Sequence, residues 1–533
     1  MTTRSLLFPL VSTVALALVV ACSSSDPQAA PSTVPDDTDK EPDPGGSSGQ
    51  PEPPPRTDGG SNPPPPVDVD GPTLLVQGEI GIVGMTTNDH AIYIRPTIEG
   101  RSLEAVNLAD RSITTIWAGL PAGAIVDVKG NAVAIWTEID TTTLLGSFSY
   151  WTPGKPTRRN VAQSAVRDSF WATTDGSLIA FEANATPTEG AATSADLVLV
   201  STASGTLTAV LTDDERIAFD ETSCGSFIGF AGKTLVAAYC PSGSDSARLV
   251  TVGTSVDGPP ARRVLVDGGL RPSWRADSTG SKIFVIAQTD DEGRVVTNDG
   301  TDPAPVTPIE ANVQEAFMLQ DGSAVVYRTG TALRRVTLGT APSAPVTIAT
   351  GEARGILDVS SDQSRILYHA LEGVPVDPEN PDGERYYDLR TVTTNATEAA
   401  PNVLVDTERA LPLNLTGNGA HALYFSTAPR LVSVATDGSG SLERALDFNR
   451  MDVAPSGSQA VITVNARQQG TKAVTDLVYV DFSRSQAGGP WSKTIAESVG
   501  SGGYKFGVTA KNTIVFAHLP PSGQAGLYRT ELP

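Results

Sequence analysis

Three cysteines and four histidines are the residues of this 533-residue chain best equipped for chemistry at neutral pH. A thiolate is a nucleophile and soft ligand, and an imidazole can act as acid, base or metal ligand. Cys22 follows Val19, Val20 and Ala21 at the end of an apolar run. Cys224 and Cys240 lie symmetrically about Gly232, within GFAGKTL, which reads as a hairpin turn. In-register pairing would set the two opposite each other, as a disulfide or as two buried free thiols, and either role is structural. A closed loop of about 15 residues stabilises by about 3 kcal/mol in the chain-entropy account. His90 and His421 come just after a turn, whereas His369 and His518 end the equivalent strand. The pairs are therefore expected toward opposite faces, and no metal centre is expected from them.

The acidic clusters carry little more. Asp377, Asn380, Asp382 and Glu384 crowd one segment whose oxygens suit calcium, but Pro378 and Pro381 interrupt EF-hand spacing, which leaves a solvated loop. Asp290, Asp291 and Glu292 form a similar short run. Residues 45–49, GGSSG, match the serine-hydrolase elbow only formally. That elbow needs a strand before it and a helix after it, and a Pro- and Ser-rich stretch supplies neither. Trp117, Trp151 and Trp491 suit a sugar or peptide site and equally suit packing between sheets. No catalytic residue, cofactor site or metal site is expected.

Before Cys22, Arg4 and a mostly apolar run from Leu6 to Val20 have the layout of a secretory signal. The run is shorter than the roughly 18 to 20 residues that cross a bilayer, and Pro9, Ser12 and Thr13 interrupt it. Val19-Val20-Ala21-Cys22 resembles the lipobox of bacterial lipoproteins. The resemblance implies cleavage before Cys22, a diacylglyceryl group on its sulfur and a fatty acyl chain such as palmitate on its amine. Each buried methylene contributes about 0.8 kcal/mol, so several chains make a permanent membrane anchor. With Cys22 so committed, Cys224 and Cys240 are the natural disulfide pair. Ser23, in place of the aspartate that retains enterobacterial lipoproteins at the inner membrane, favours the outer membrane, on its periplasmic side or the cell surface.

The chain divides into a signal peptide over 1–21, a lipidated linker over 22–72 and a folded part over 73–533. The linker is almost entirely Pro, Ser, Gly, Asp and Glu. Such composition cannot offset the entropy of ordering. As a spacer of ~50 residues it reaches on the order of 150 Å extended and about 40 Å as a coil.

Repeats organise the remainder. An approach strand, a tight turn and an almost wholly apolar strand recur ten times, about 38 to 56 residues apart. WATTDGSLIAF from Trp171, WRADSTGSKIFVI from Trp274, FMLQDGSAVVY from Phe317 and VSSDQSRILY from Val359 are the clearest copies. Others begin at Met85, Val126, Phe227, Leu415, Val453 and Val508. The strand Lys282 to Ile286 is nearly all apolar, as expected of a sheet covered on both faces. Helical periodicity is absent. Strand repeats of this period predict an all-β propeller of four-stranded blades, with eight to ten blades in one ring or two smaller rings. The last repeat ends two strands short of four, and the strand from Leu74 is placed to complete it.

The large residue, Asp-Gly turn, lysine-like position and Ile-x-Phe of these copies resemble the repeat of TolB-type propellers, shared with the propeller half of prolyl-oligopeptidase-type peptidases. That resemblance implies a fold, and propellers serve many functions. The expected role is a binding or scaffolding module in the cell envelope, with proteins, peptides or glycans as partners. The alternative is a hydrolase or lyase acting on peptide or polysaccharide. A peptidase of this type would carry an α/β-hydrolase domain, which is not found before Pro533, and a lyase would need His, Arg or Tyr converging in the channel. An envelope component working with peptidoglycan-associated proteins, by analogy with TolB, is a third reading. The net charge of −22 disfavours nucleic acid and anionic headgroups as partners.

Overall fold

A computed structural model describes residues 72–532, except 99, 189–190, 213–225, 242–243, 254–260, 351–352, 371–373, 376, 381–384, 427–429, 446–447, 487–488, 501–505, 510 and 521–522. Cys22 and Cys224 lie outside the described residues, as do Asp382 and Glu384. Within them regular structure is wholly β, in thirty-nine strands with no helix.

The copy at Trp171 shows how the sequence forms one unit. Phe170–Ala172 leads into Thr173, whose carbonyl accepts the N–H of Gly176 at 2.9 Å and whose N–H donates to Leu178 O at 3.1 Å. Asp175 Oδ1 accepts the Ser177 N–H at 3.0 Å, and Gly176 takes φ 68°. Glycine is needed there twice over. A Cβ would be strained at that φ, and it would meet the Asn131 backbone of the preceding sheet at 2.9 Å. The strand after the turn is the buried one. Ala132–Thr137 is buried throughout, and Lys282–Ala287 at every position but its first. Outer strands such as Ile113–Trp117 expose alternate residues, as a sheet with one wet face must.

Numbered along the chain, ten four-stranded antiparallel blades occupy residues 81–117, 125–166, 170–211, 226–266, 270–310, 313–349, 355–405, 410–445, 448–500 and 506–531 among the described residues. In each, strand a is innermost and strand d outermost. Two long strands each serve two blades. Ala261–Ala276 pairs first with Ala247–Gly253 and then with Lys282–Ala287, and Asn402–Leu415 does the same between blades 7 and 8. Apolar clusters fill the spaces between blades. Phe148 of blade 2 stacks on Phe181 of blade 3 with ring centroids 4.4 Å apart. Burying each such side chain contributes about 1.5–3 kcal/mol.

Closure is by the amino-terminal strand. Thr73–Gln77 pairs antiparallel with Gly526–Glu531, Thr73 opposite Arg529 and Gln77 opposite Gly526. Phe506–Val508, Thr513–His518 and Gly526–Glu531 supply three strands, so the last blade was one strand short rather than two. Contacts between blades run in chain order. Thr87 N donates to Gly130 O, Ser278 N to Gln320 O, Asp362 N to Gly417 O and Asn418 N to Gly457 O. Lys511 of blade 10 pairs with Asp89 of blade 1, and strand a of blade 1 touches strand a of both blade 2 and blade 10. The architecture is one ring of ten blades, which decides against eight blades and against two smaller rings.

Candidate functional site

Each strand a has a blade partner on one side only, so backbone groups along its other edge need partners from elsewhere. Side chains of adjoining blades supply several. Glu315 Oε2 of blade 6 accepts the Ile356 N–H of blade 7 at 2.8 Å. Asp358 Oδ2 of blade 7 accepts the Leu415 N–H of blade 8 at 2.7 Å. Trp274 Nε1 of blade 5 donates to Phe227 O of blade 4 at 2.9 Å, and Lys129 Nζ of blade 2 donates to Phe170 O of blade 3. Charged groups on this wall therefore have structural duties. In blades 1, 7 and 8 the a–b register slips at the same place, between Ile82 and Gly84, Ile356 and Asp358, and Pro412 and Asn414. Bulges of this kind re-aim side chains.

One level of the wall recurs in all ten blades, the strand-a residue paired with the third residue of strand b. It holds glycine at Gly84, Gly229 and Gly507, aromatic rings at Trp171 and Phe317, and acids at Asp127, Asp358 and Asp452, with Asn414 and Arg275 between them. Four of these, from blades 9, 10, 1 and 2, line a cavity of about 240 Å³ with Met85, Arg450 and Phe506. Arg450 pairs with Asp452 at 3.4 Å and lies 5.0 Å from the Phe506 ring centroid. Burial raises the Asp452 carboxyl above its usual range, and Arg450 offsets part of that. Burial also raises Asp358, against the N–H groups of Leu415 and Val359. A second cavity of about 520 Å³ opens at the other end of Gly81–Met85, lined by Ile80, Ile82, Ile94 and Leu519 beneath the ion pair of Lys472 with Glu79.

The residues singled out in the sequence lie elsewhere. His90 and His421 begin strand b of their blades, and His369 and His518 end theirs, as their phase required. His90 Nδ1 lies 2.9 Å from Asn88 O, and its ring meets Trp151 edge-on. Burial lowers the His421 and His518 imidazoles. Among the described residues no three His, Cys, Asp or Glu side chains gather as metal ligands. Trp151 is buried and donates to Lys155 O, Trp117 lies under the Arg158 guanidinium at 3.2 Å, and Trp491 packs on Tyr479. All three serve blade packing. Asp291 is paired with Arg271, and Glu292 with Arg294 at 2.7 Å.

Cys240 is buried and disulfide-bonded. Its hairpin turns on two residues, Gly232 and Lys233, so Ser226 faces Tyr239. The register is thus half a residue away from the symmetry point at Gly232. The wall charges Asp127, Arg275, Asp358 and Arg450 were missed by sequence reasoning centred on cysteine and histidine. Their signal was a charge within an approach strand, as in Trp274-Arg275, where an apolar residue is the default.

Fold and wall together define the class: a β-propeller whose inner strands carry charges reached by solvent. No protein-family profile matches the chain, and no curated protein matches it. Solved structures similar to it include a prolyl endopeptidase, at 14% identity over 68% of this chain and 53% of that one, TM-score 0.34. TolB from Acinetobacter baumannii is similar at 12% identity over 50% of this chain and 68% of that one, TM-score 0.24. The Cps50 (Swd1) propeller domain of Myceliophteria thermophila is similar at 10% over 60% and 97%, TM-score 0.30. The chain thus spans about half the length of the prolyl endopeptidase it matches.

Proposed function

We propose that this protein is a lipid-anchored envelope propeller that works as a binding or scaffolding module, with Cys22 as its anchor and the inner wall as its binding surface. The observation that supports this reading best is the wall itself. Its acids and most of its cations are spent on backbone groups and on each other, while cavities of about 240 and 520 Å³ remain at either end of one inner strand. Such a wall recognises ligands by shape and charge. Proteins, peptides or glycans of the envelope are the partners, and the outer membrane is the site of attachment. Among the described residues no helix is long and apolar enough to cross a membrane, which is compatible with attachment through lipid.

Expression in a bacterial host with labelled palmitate tests the anchor. The natural chain should take up label and fractionate with membranes, and Cys22→Ser should do neither and accumulate as the longer precursor. Label retained by Cys22→Ser would refute the assignment. Affinity purification of the lipidated chain from its own envelope tests the module. Reproducible partners support it, and turnover of a peptide or polysaccharide without any stable partner would replace it with an enzyme.

A further inference from the structure

Four inner strands meet where the ring closes, and the wall opens there into the cavity of about 240 Å³. At one level it is lined by Asp452, Gly507, Gly84 and Asp127, from blades 9, 10, 1 and 2 in turn. Glycine at the two middle positions sets no side chain between the two carboxylates. Neighbours close in from the sides instead. A Cβ on Gly84 would lie 3.1 Å from Val128, and one on Gly507 would lie 3.1 Å from Met85. Apart from Arg450 the remaining lining is apolar, with Met85, Val126 and Phe506 in it.

The charges in this cavity do not balance. Arg450 is held by Asp452 at 3.4 Å and lies 5.0 Å from the Phe506 ring centroid. Asp127 is half-buried and differently served. Its Oδ1 accepts the Val128 N–H at 2.8 Å, whereas its Oδ2 accepts no hydrogen bond among the described residues. Its ion-pair partner Lys129 stands 3.6 Å from Oδ2, beyond hydrogen-bond length, and donates to Phe170 O on blade 3. Lys129 does not line the cavity. Two carboxylates therefore face one guanidinium, and one of them keeps an oxygen for an incoming donor.

These features specify the ligand. A half-buried carboxylate without a cation in its cavity favours a single positive charge. The free oxygen requires N–H donors, which a quaternary ammonium lacks, and the one aromatic ring of the lining is taken by Arg450. A metal ion is poorly served, since no three His, Cys, Asp or Glu side chains gather among the described residues. At about 30 Å³ per water the cavity holds roughly eight waters, which is room for a molecule of roughly ten non-hydrogen atoms. We propose that this cavity is a site for a small primary amine with a compact apolar tail. Its ammonium donates to Asp127 Oδ2, and its tail lies across Gly84 and Gly507 against Met85 and Phe506. This deepens the binding-module reading and rests on it.

Calorimetric titration of the full mature chain with 2-phenylethylamine tests the site, with the neutral 2-phenylethanol as partner probe. The amine should bind saturably, and the alcohol about tenfold or more weaker. That comparison needs no variant. Asp127→Asn should lower amine affinity about tenfold and melt with the natural chain, because its amide oxygen can still accept from Val128. Asp110→Asn removes an equal charge at a turn of blade 1 outside the cavity. It should leave affinity unchanged, which separates a site from the general attraction of an acidic protein. The proposal is overturned by alcohol bound as tightly as the amine, by undiminished amine binding in Asp127→Asn, by equal losses in the two variants, or by no saturable binding in a chain with native near-ultraviolet dichroism. Envelope partners recovered with a chain that fails these tests would remove this site and leave the module reading standing.

Discussion

Glu182 is fully buried in strand b of blade 3, and among the described residues neither of its carboxylate oxygens has a hydrogen-bond partner. Burial pushes its pKa up to about 8. Glu104 of blade 1, equally buried, shows the usual remedy, with Tyr93 Oη at 2.7 Å and Arg95 at 2.6 Å. Without such partners Glu182 folds in its neutral form. The folded state then holds a proton that the unfolded chain has released, between the ordinary glutamate pKa of 4.5 and about 8. Stability from this group is full below that window, falls as pH rises through it, and levels off above about 8. The loss is on the order of 3 kcal/mol by pH 7. Glu182→Gln cannot lose a proton. Its melting temperature should therefore gain on the natural chain by several degrees between pH 5 and pH 8, measured by calorimetry in matched buffers. A constant difference across that range would show that Glu182 stays charged.

At the scale of the element, hairpins carry most of the design. The hairpin of Ser226–Ala231 and Thr234–Tyr239 turns on Gly232 at φ 59°, the conformation that two-residue turns demand. The strand it returns ends at Tyr239, and the next residue, Cys240, is in a disulfide. Cys224 is the partner we infer, since Cys22 is assigned to lipid. Digestion without reduction should yield one linked peptide pair holding Cys224 and Cys240, and a link from Cys240 to any other cysteine would disprove it. Reduction should lower the melting temperature, because a loop of about 15 residues contributes about 3 kcal/mol. The ten turns were legible for a local reason. Asp, Gly and neighbouring Ser answer a hydrogen-bonding need contained within about six residues. The identity of the inner-wall charges was not, because Asp358 and Glu315 find their donors on the next blade, at Leu415 and Ile356.

For the whole molecule, closure of the ring is the decisive event. Thr73–Gln77 covers the edge of Gly526–Glu531, and Val76 in it is buried. Removing that strand would leave an unpaired outer edge on blade 10 and take Val76 out of the apolar cluster that joins blades 10 and 1. A chain begun at Pro72 should therefore melt cooperatively and stay monomeric, while one begun at Gly78 should melt lower and scatter light on heating. Equal melting of the two would mean that closure by this strand contributes nothing to stability. The net charge of −22 sets the solution behaviour of the assembly, favouring solubility and opposing association with polyanions.

The sequence by itself determined the all-β class, the ten repeats, the turn chemistry of each, and the strand from Leu74 as a candidate for closure. These follow from alternation, glycine placement and hydrogen bonds that close within a dozen residues. Only the tertiary structure decided that the ten blades form one ring, that Glu315 and Asp358 accept backbone N–H groups of the next blade, and that Glu182 has no partner for its carboxylate among the described residues. Each of those depends on groups from separate blades meeting, in the case of Thr73 and Arg529 across almost the whole folded chain. Pairings of that range are set by how the blades add up around the ring, which no local pattern records.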